Sequence, residues 1–254
     1  MLQLDDVSKD FGGLKALSDL TFNVRKGQIK GLIGPNGAGK TTLFNLITGV
    51  FPPSRGTIIF LGEEITHHKP EKISRLGVSR TFQQPHLFKS LTVWENVMLG
   101  RHYRTQSEFF ACGLRLPNAA LEEKAIKEKS LEYLSVFGLA DKKNQIANKL
   151  PLGEQRYLEV ARALATEPKL LLLDEPTSGL NDHETELFQD LLFRIREMGV
   201  TLLVIEHHMK FIMGLCEEIA VLNFGNKIAE GSPREIQVSP EVITAYLGTE
   251  DSLA

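Results

Sequence analysis

An α/β fold built on a parallel sheet is what this sequence predicts, and three observations predict it. The apolar runs Leu170–Leu173 and Leu202–Ile205 are continuous rather than alternating, the mark of strands buried on both faces. Helical stretches at 158–166 and about 183–197 precede each of them, so helix and strand alternate along the chain. Residues 34–41 form a glycine-rich turn that leaves one apolar strand and enters a helix.

The elements follow in order. Leu2 and Leu4 alternate with polar neighbours, as do Phe22 and Val24, and Thr57–Phe60 is rich in β formers. Gly12-Gly13, Lys26-Gly27, Pro52-Pro53-Ser54 and Arg55-Gly56 mark turns between these short strands. Residues 29–33 form a further strand, and a helix is expected over 41–48. From about 94 to 149 the β signal fades. There Ile126, Tyr133 and Phe137 share a helical face opposite Lys124 and Lys127, with Gly138 near the helix end. The helix over Leu158–Thr166 stops at Pro168, and strands at 169–173 and 200–205 flank the helix around 183–197. No internal repeat and no low-complexity linker interrupts the chain.

Composition narrows the function classes. The 254 residues allow one large domain or two small ones, at about 100–200 residues per domain. With 42% hydrophobic and 24% charged residues the chain is neither disordered nor fibrous. Its 29 Lys+Arg against 32 Asp+Glu leave a net charge of −3. A protein that holds nucleic acid mainly by neutralising phosphates leans basic, so no nucleic-acid partner is expected. Cys112 and Cys216 show neither a disulfide framework nor metal-ligand spacing, and read as reduced, buried thiols of a cytosolic protein. The residues Met1–Asp6 lack the basic and apolar stretches of a signal peptide. The longest apolar runs fall far short of the ~20 residues of a membrane helix. A membrane role would come through a partner.

Two stretches carry chemistry. Gly34-Pro35-Asn36-Gly37-Ala38-Gly39-Lys40-Thr41 fits G-x-x-x-x-G-K-[ST] at every position, between strand and helix. Its glycines let backbone N–H groups turn inward on β- and γ-phosphates, and the helix N-terminus adds partial positive charge. Lys40 is placed to reach the β/γ oxygens and the Thr41 hydroxyl to complete a Mg²⁺ shell. Downstream, a buried strand ends in Asp174-Glu175, at the sheet edge where ligands bind in open α/β folds. Asp174 suits Mg²⁺ held through water, and Glu175 suits polarising an attacking water.

With these motifs in place, the chain resembles an ABC-transporter ATP-binding subunit over essentially its whole length. The resemblance implies a P-loop NTPase (RecA-like) core with a parallel sheet, an antiparallel β subdomain and an inserted α-helical subdomain. It implies a single ABC ATPase domain over 1–254. Residues 1–93 and 157–254 would form the nucleotide-binding core with the β subdomain. Residues 94–156 would be the helical subdomain, ending in the signature loop. ATP and Mg²⁺ are the implied cofactors. Phe11 matches the aromatic that stacks on adenine, and Thr42 continues the phosphate-binding run. Gln83, in Arg80-Thr81-Phe82-Gln83, matches the glutamine that senses Mg²⁺ and water, although Gln84 stands beside it. His207, in Val204-Ile205-Glu206-His207, matches the switch histidine at the γ-phosphate, with His208 adjacent.

Two positions depart from the family pattern. Where Leu-Ser-Gly-Gly-Gln is common, the chain reads Leu150-Pro151-Leu152-Gly153-Glu154, followed by Gln155 and a helix. Leu150, Gly153 and Glu154 are the positions expected to reach a partner subunit's nucleotide, while Pro151 offers neither hydroxyl nor backbone N–H. Asn181 stands where the loop after the catalytic glutamate usually carries Asp. The finer likeness is to branched-chain amino acid importer ATPases of the LivG-like type, through Phe11–Leu17, Leu87-Phe88, Leu91-Thr92-Val93, Gly179-Leu180-Asn181, Ile205-Glu206-His207 and Ala245–Gly248. That branch tolerates both departures.

A transport motor is therefore the leading expectation. It would be peripheral on the cytoplasmic face of the cell membrane, with a second homologous ATPase subunit and two permease subunits, and an extracytoplasmic solute-binding protein served indirectly. The altered signature favours a heterodimer of ATPases over a homodimer. Trp94, Phe109 and Phe110 either anchor the permease or fill the helical core. Alternatives are import of urea, an amide or another amino acid, a soluble ABC protein acting on nucleic acid, and a regulatory subunit that hydrolyses poorly.

Overall fold

The computed structural model describes residues 1–102 and 117–247; Phe109, Phe110, Cys112 and Gly248 lie outside them. In chain order the strands are β1 (Leu2–Phe11), β2 (Leu14–Val24), β3 (Ile29–Ile33), β4 (Arg55–Phe60), β5 (Glu63–Glu64), β6 (Val78–Arg80), β7 (Leu170–Asp174), β8 (Thr201–Ile205), β9 (Glu218–Asn223) and β10 (Asn226–Gly231). The helices are α1 (Lys40–Ile47), α2 (Pro70–Leu76), α3 (Val93–His102), α4 (Pro117–Val136), α5 (Leu152–Leu164), α6 (Asp182–Glu197), α7 (Met209–Leu215), α8 (Pro233–Gln237) and α9 (Pro240–Leu247). They pack as two units. The first comprises 1–80, 169–177 and 192–254, and the second 81–168 and 178–191.

The first unit holds both sheets. An antiparallel sheet runs β2-β1-β4-β5, and a second sheet runs β10-β9-β3-β8-β7-β6. In the second sheet β9, β3, β8, β7 and β6 are parallel, with β10 antiparallel at the edge. All five residues of β3, β7 and β8 are buried, which is why their sequences are mostly apolar, the polar exceptions being Lys30 of β3, Asp174 at the end of β7 and Thr201 at the start of β8. Lys30 is tolerated because its ammonium donates to the Asn23 carbonyl at 2.6 Å and to Glu218 Oε2 at 2.9 Å, and pairs with Glu230. Arg55-Gly56 is no turn; both residues belong to β4, beside the irregularity where the β1–β4 register jumps from Asp5 to Ser8. Strand β3 lies between β9 and β8, so the turn that leaves it opens at the sheet's carboxyl edge, flanked by the chain that leaves β8.

The second unit is helical. Ile126, Tyr133 and Phe137 are buried on the face their spacing predicts, and the Ser130 hydroxyl is satisfied by the Ile126 carbonyl at 2.7 Å. Helix α3 starts at a reciprocal cap: the Glu95 carboxylate accepts from Thr92 N, and Thr92 Oγ1 accepts from Glu95 N. Helix α6 starts the same way on Asn181 and Glu184, so the Asn departure keeps a full capping function. Helix α5 begins at Leu152, six residues before the expected start at Leu158. Pro151 sits at its N-cap, and residues 152–154 form its first turn rather than a loop. Residues 81–93 and 157–168, placed with the core on sequence grounds, pack in this unit: α5 continues unbroken from 152 to 164, and its Arg156 and Glu159 bond the backbone of Phe82, Gln83 and His86.

Candidate functional site

In the first unit the loop 34–39 joins β3 to α1. Two glycines are required there by close approach. A Cβ on Gly34 (φ 149) would stand 2.1 Å from the Leu222 carbonyl oxygen, and one on Gly39 (φ 103) 2.7 Å from that of Ala16. The loop is therefore pinned between β9 and β2, and Gly225 N donates to the Ala38 carbonyl at 3.1 Å as a further tether. Gly39 is the N-cap residue of α1 and brings no side chain to its first-turn N–H groups, which stay directed at the loop. Lys40 Nζ donates to the carbonyls of Gly34 at 2.6 Å and Pro35 at 2.9 Å. Burial pulls the Lys40 ammonium below its ordinary range, and the carboxylates of Glu175 and Asp174 act against that pull. Thr41 is exposed and Thr42 half-buried on the same first turn.

Asp174 ends β7, and its buried carboxylate is already paired: Arg80 Nη2 donates to Asp174 Oδ2 at 2.7 Å. The same guanidinium donates to Asn45 Oδ1 at 2.6 Å and lies over the Phe44 ring at 5.3 Å. One cation thus ties the first acidic position to two residues of α1. In the sequence Arg80 stands as the first residue of Arg80-Thr81-Phe82-Gln83, and nothing local marks this role.

Glu175 follows with a positive φ of 46, its N–H donating to the Ile205 carbonyl at 2.9 Å. His207 Nδ1 stands 3.7 Å from Glu175 Oε1, on a ring that is 66% exposed. The turn carrying His207 is fastened by a residue that no local sequence signal marks. Glu206 is fully buried and accepts from His207 N at 2.9 Å and His208 N at 3.2 Å through Oε2. Through Oε1 it accepts from Thr177 N at 2.9 Å and from the Thr177 hydroxyl. Tyr246 of α9 also turns toward the site: its phenol meets the Gly34 backbone, and burial pushes it up to about 12.

Phe11, at the end of β1, is half-exposed and packs edge-on against Phe51 with ring centroids 5.1 Å apart. The Lys9 ammonium lies 5.0 Å and 4.9 Å from the two ring centroids and donates to the Pro52 carbonyl at 2.8 Å.

The remaining expected residues belong to the second unit. Gln83 is exposed. Arg156 of α5 donates to its carbonyl, and to that of Phe82 at 3.2 Å. Leu150 is buried, so it offers only backbone. A Cβ on Gly153 would stand 2.9 Å from Glu184 Oε1 and 3.4 Å from Leu180 Cδ2, so α5 packs directly on the loop that carries Asn181. Glu154 is held by Lys142 Nζ at 2.5 Å, which offsets the extra negative charge at this signature position. Trp94 is half-buried, with its indole N–H enclosed and, among the described residues, without an acceptor.

A strand–glycine loop–helix cradle beside a strand-end carboxylate pair, at the carboxyl edge of a parallel sheet, defines a P-loop nucleotide-binding ATPase. The comparisons with known proteins narrow the class. The family described as "ABC transporter" matches residues 17–178, and the one described as "Branched-chain amino acid ATP-binding cassette transporter" matches residues 226–252. The high-affinity branched-chain amino acid transport ATP-binding protein BraF of Pseudomonas aeruginosa is 41% identical over 249 residues, 98% of each chain. LivG of Escherichia coli, which carries the same description, is 38% identical over the same shares. Among solved structures, the ADP conformation of MJ1267, an ATP-binding cassette of an ABC transporter, superposes with a TM-score of 0.84 at 30% identity, over 98% of both chains. A dimeric post-hydrolysis state of the cassette MJ0796, bound to ADP and phosphate, matches with a TM-score of 0.78 at 26% identity, over 92% of this chain and 99% of that one. This chain belongs to the ABC-transporter ATP-binding family and is the ATPase component of a transporter.

Proposed function

We propose that this chain is the ATP-hydrolysing motor subunit of a branched-chain amino acid importer. One observation carries the reading: Lys40, Asp174, Glu175 and His207 converge in one unit around the phosphate cradle, on a chain alike over nearly its full length to ATP-binding subunits of such importers. The loop 34–39 and the first turn of α1 receive the β- and γ-phosphates, with Lys40 exchanging its carbonyl partners for phosphate oxygens. Phe11 offers its half-exposed ring to the adenine. Glu175 orients and deprotonates the attacking water, and His207, on the turn fastened by Glu206, contacts the γ-phosphate.

The donor set fits Mg²⁺. Within the first unit the Thr41 hydroxyl and the Asp174 carboxylate are oxygen ligands, the kind a small hard cation prefers alongside phosphate oxygens, and the Gln83 amide of the second unit offers an oxygen of the same kind. When bound there, the ion neutralises charge at the β- and γ-phosphates.

The subunit works beside a second, homologous ATPase. Leu150, Gly153 and Glu154 face that partner's nucleotide, and the partner's signature serves this chain's Lys40 and Glu175. Because Pro151 has no hydroxyl, a heterodimer with unequal sites is favoured over a homodimer. The exposed rings of Phe82 and Phe88, on the loop that follows β6, suit docking on a permease. Among the described residues no helix is long and apolar enough to cross a membrane, in keeping with peripheral attachment to the cytoplasmic face through permease subunits. A solute-binding protein would deliver the cargo from outside.

The test is hydrolysis in the assembled transporter. Glu175→Gln keeps shape and hydrogen bonding but removes the base, so turnover should fall about 10²–10⁴-fold while ATP still binds. Disabling the corresponding glutamate of the second ATPase should cost less. Wild-type turnover by the Glu175→Gln complex would reject the catalytic assignment, and equal losses from either subunit would reject the unequal pair.

A further inference from the structure

We propose that Arg156 and Glu159, a buried pair one turn apart on α5, are positioning residues that hold the Gln83 loop and yoke it to the loop after Pro176. Their side chains are 6% and 3% exposed, and Arg156 Nη1 stands 3.8 Å from Glu159 Oε2. The pair addresses backbone almost entirely. Arg156 donates to the carbonyls of Phe82 at 3.2 Å, of Gln83, and of Ser178 at 3.4 Å. Glu159 Oε1 accepts from the N–H groups of Phe82 and His86, both at 3.3 Å. Two adjacent turns of one helix thus clamp both strands of the 82–86 loop, and one guanidinium joins that loop to the segment leading into α6.

The chemistry argues that geometry, not stability, is what this pair supplies. Residues 82–84 are exposed, so little apolar burial holds this loop in place. Burying two charges instead costs free energy that an apolar pair would not, and burial does push the Glu159 carboxyl up despite the N–H groups of His86 and Phe82. A planar fork also fixes several carbonyls at set angles, as an ammonium cannot. At its far end the loop is held in the same manner: Asn96 of α3 accepts from Phe88 N at 2.9 Å and donates to the Phe88 carbonyl at 3.1 Å. Between these clamps Gln83 has a fixed backbone and an exposed side chain. Shifts of α5, of the loop and of the Ser178 segment are consequently coupled. The proposal rests on the reading of Gln83 as a residue that touches the metal and the attacking water.

Two measurements test it. The first needs no activity: hydrogen exchange of the full chain, read in peptides covering 81–90. Glu159→Leu removes both acceptor bonds, so exchange of the Phe82 and His86 amides should rise at least tenfold while peptides from β3 and β8 stay unchanged. Glu159→Gln retains a carbonyl oxygen for both donors and should stay within about twofold of wild type. Unchanged exchange in Glu159→Leu overturns the anchoring. The second is Mg·ATP hydrolysis by the assembled transporter, with Arg156→Gln made alone and together with Gln83→Ala. The single variant should lose at least tenfold in kcat with KM for ATP within twofold. In the Gln83→Ala background it should lose less than twofold more, because residues acting through one another are not additive. Equal losses in both backgrounds overturn the positioning role. Should Arg156→Gln fail to fold, Arg156→Lys, which keeps the charge without the fork, carries the same comparison. A Gln83→Ala complex that turns over at the wild-type rate overturns the reading of Gln83 and the catalytic half of the proposal with it. The exchange result stands or falls by itself.

Discussion

Glu206 should be the most sensitive position of the switch turn, and the sensitivity can be worked from its contacts. Its carboxylate is fully buried and receives four hydrogen bonds, two per oxygen: His207 N and His208 N on one, Thr177 N and the Thr177 hydroxyl on the other. In Glu206→Gln only one oxygen remains. The least costly placement keeps that oxygen on the two histidine N–H groups and turns the amide NH₂ toward Thr177, whose hydroxyl can then accept. Thr177 N–H is left facing hydrogens, a buried unsatisfied donor costing about 1–3 kcal/mol. The two bonds that survive to the histidine N–H groups also lose their charge assistance, about 1 kcal/mol each and so about 2 kcal/mol together, by the difference between charged and neutral bonds. The sum is roughly 3–5 kcal/mol, and for a chain of this size about 2–4 °C of Tm follows each kcal/mol, so a fall of the order of 10 °C is expected. Differential scanning calorimetry of the full chain reads it directly. Hydrolysis by the assembled complex should fall as well, since His207 loses the fastening of its turn. A Tm within about 2 °C of wild type would refute the reasoning, because it would mean the carboxylate is not what holds Thr177 and the two histidines together.

Lys40→Ala removes a charged donor from the phosphate cradle, and titration calorimetry should show Mg·ATP affinity weaker by about 1.5–3 kcal/mol. Unchanged affinity would remove Lys40 from the site. Arg80→Met leaves Asp174 buried without its cation, in a pair whose side chains are 7% and 9% exposed, and should destabilise the fold by about 3–5 kcal/mol in a denaturant titration. A shift below about 1 kcal/mol would mean that the Asp174 carboxylate finds other support. Cysteines placed singly over 84–90 should cross-link to a co-expressed permease, given the exposed rings of Phe82 just before that stretch and Phe88 within it, and a full set without adducts would rule out docking there.

The sequence by itself determined the parts whose physics is local. Unbroken apolar runs located β7 and β8 to within a residue or two, because a strand covered on both faces has no polar alternation to lose. The phosphate loop was legible for a similar reason: its glycines answer to contacts so short that another residue at Gly34 or Gly39 would collide with backbone. Boundaries governed by more distant packing were less legible. Helix α5 starts at Leu152 because its first turn is laid against Glu184 and Leu180, a neighbour that a local window around Pro151 does not contain. The side chains that hold the site in place were beyond reach altogether. Arg80 meets Asp174 across 94 positions, Arg156 meets Gln83 across 73, and Glu206 reaches back 29 to Thr177. Each of these partners is charged or polar and reads, in one dimension, as an ordinary surface residue. Only the order in which the strands and helices pack brings them together, and once buried a charge must find a partner or be expelled. Spacing and composition thus picked out the glycine loop and the strand-end carboxylates, whereas tertiary structure decided which side chains hold them in place.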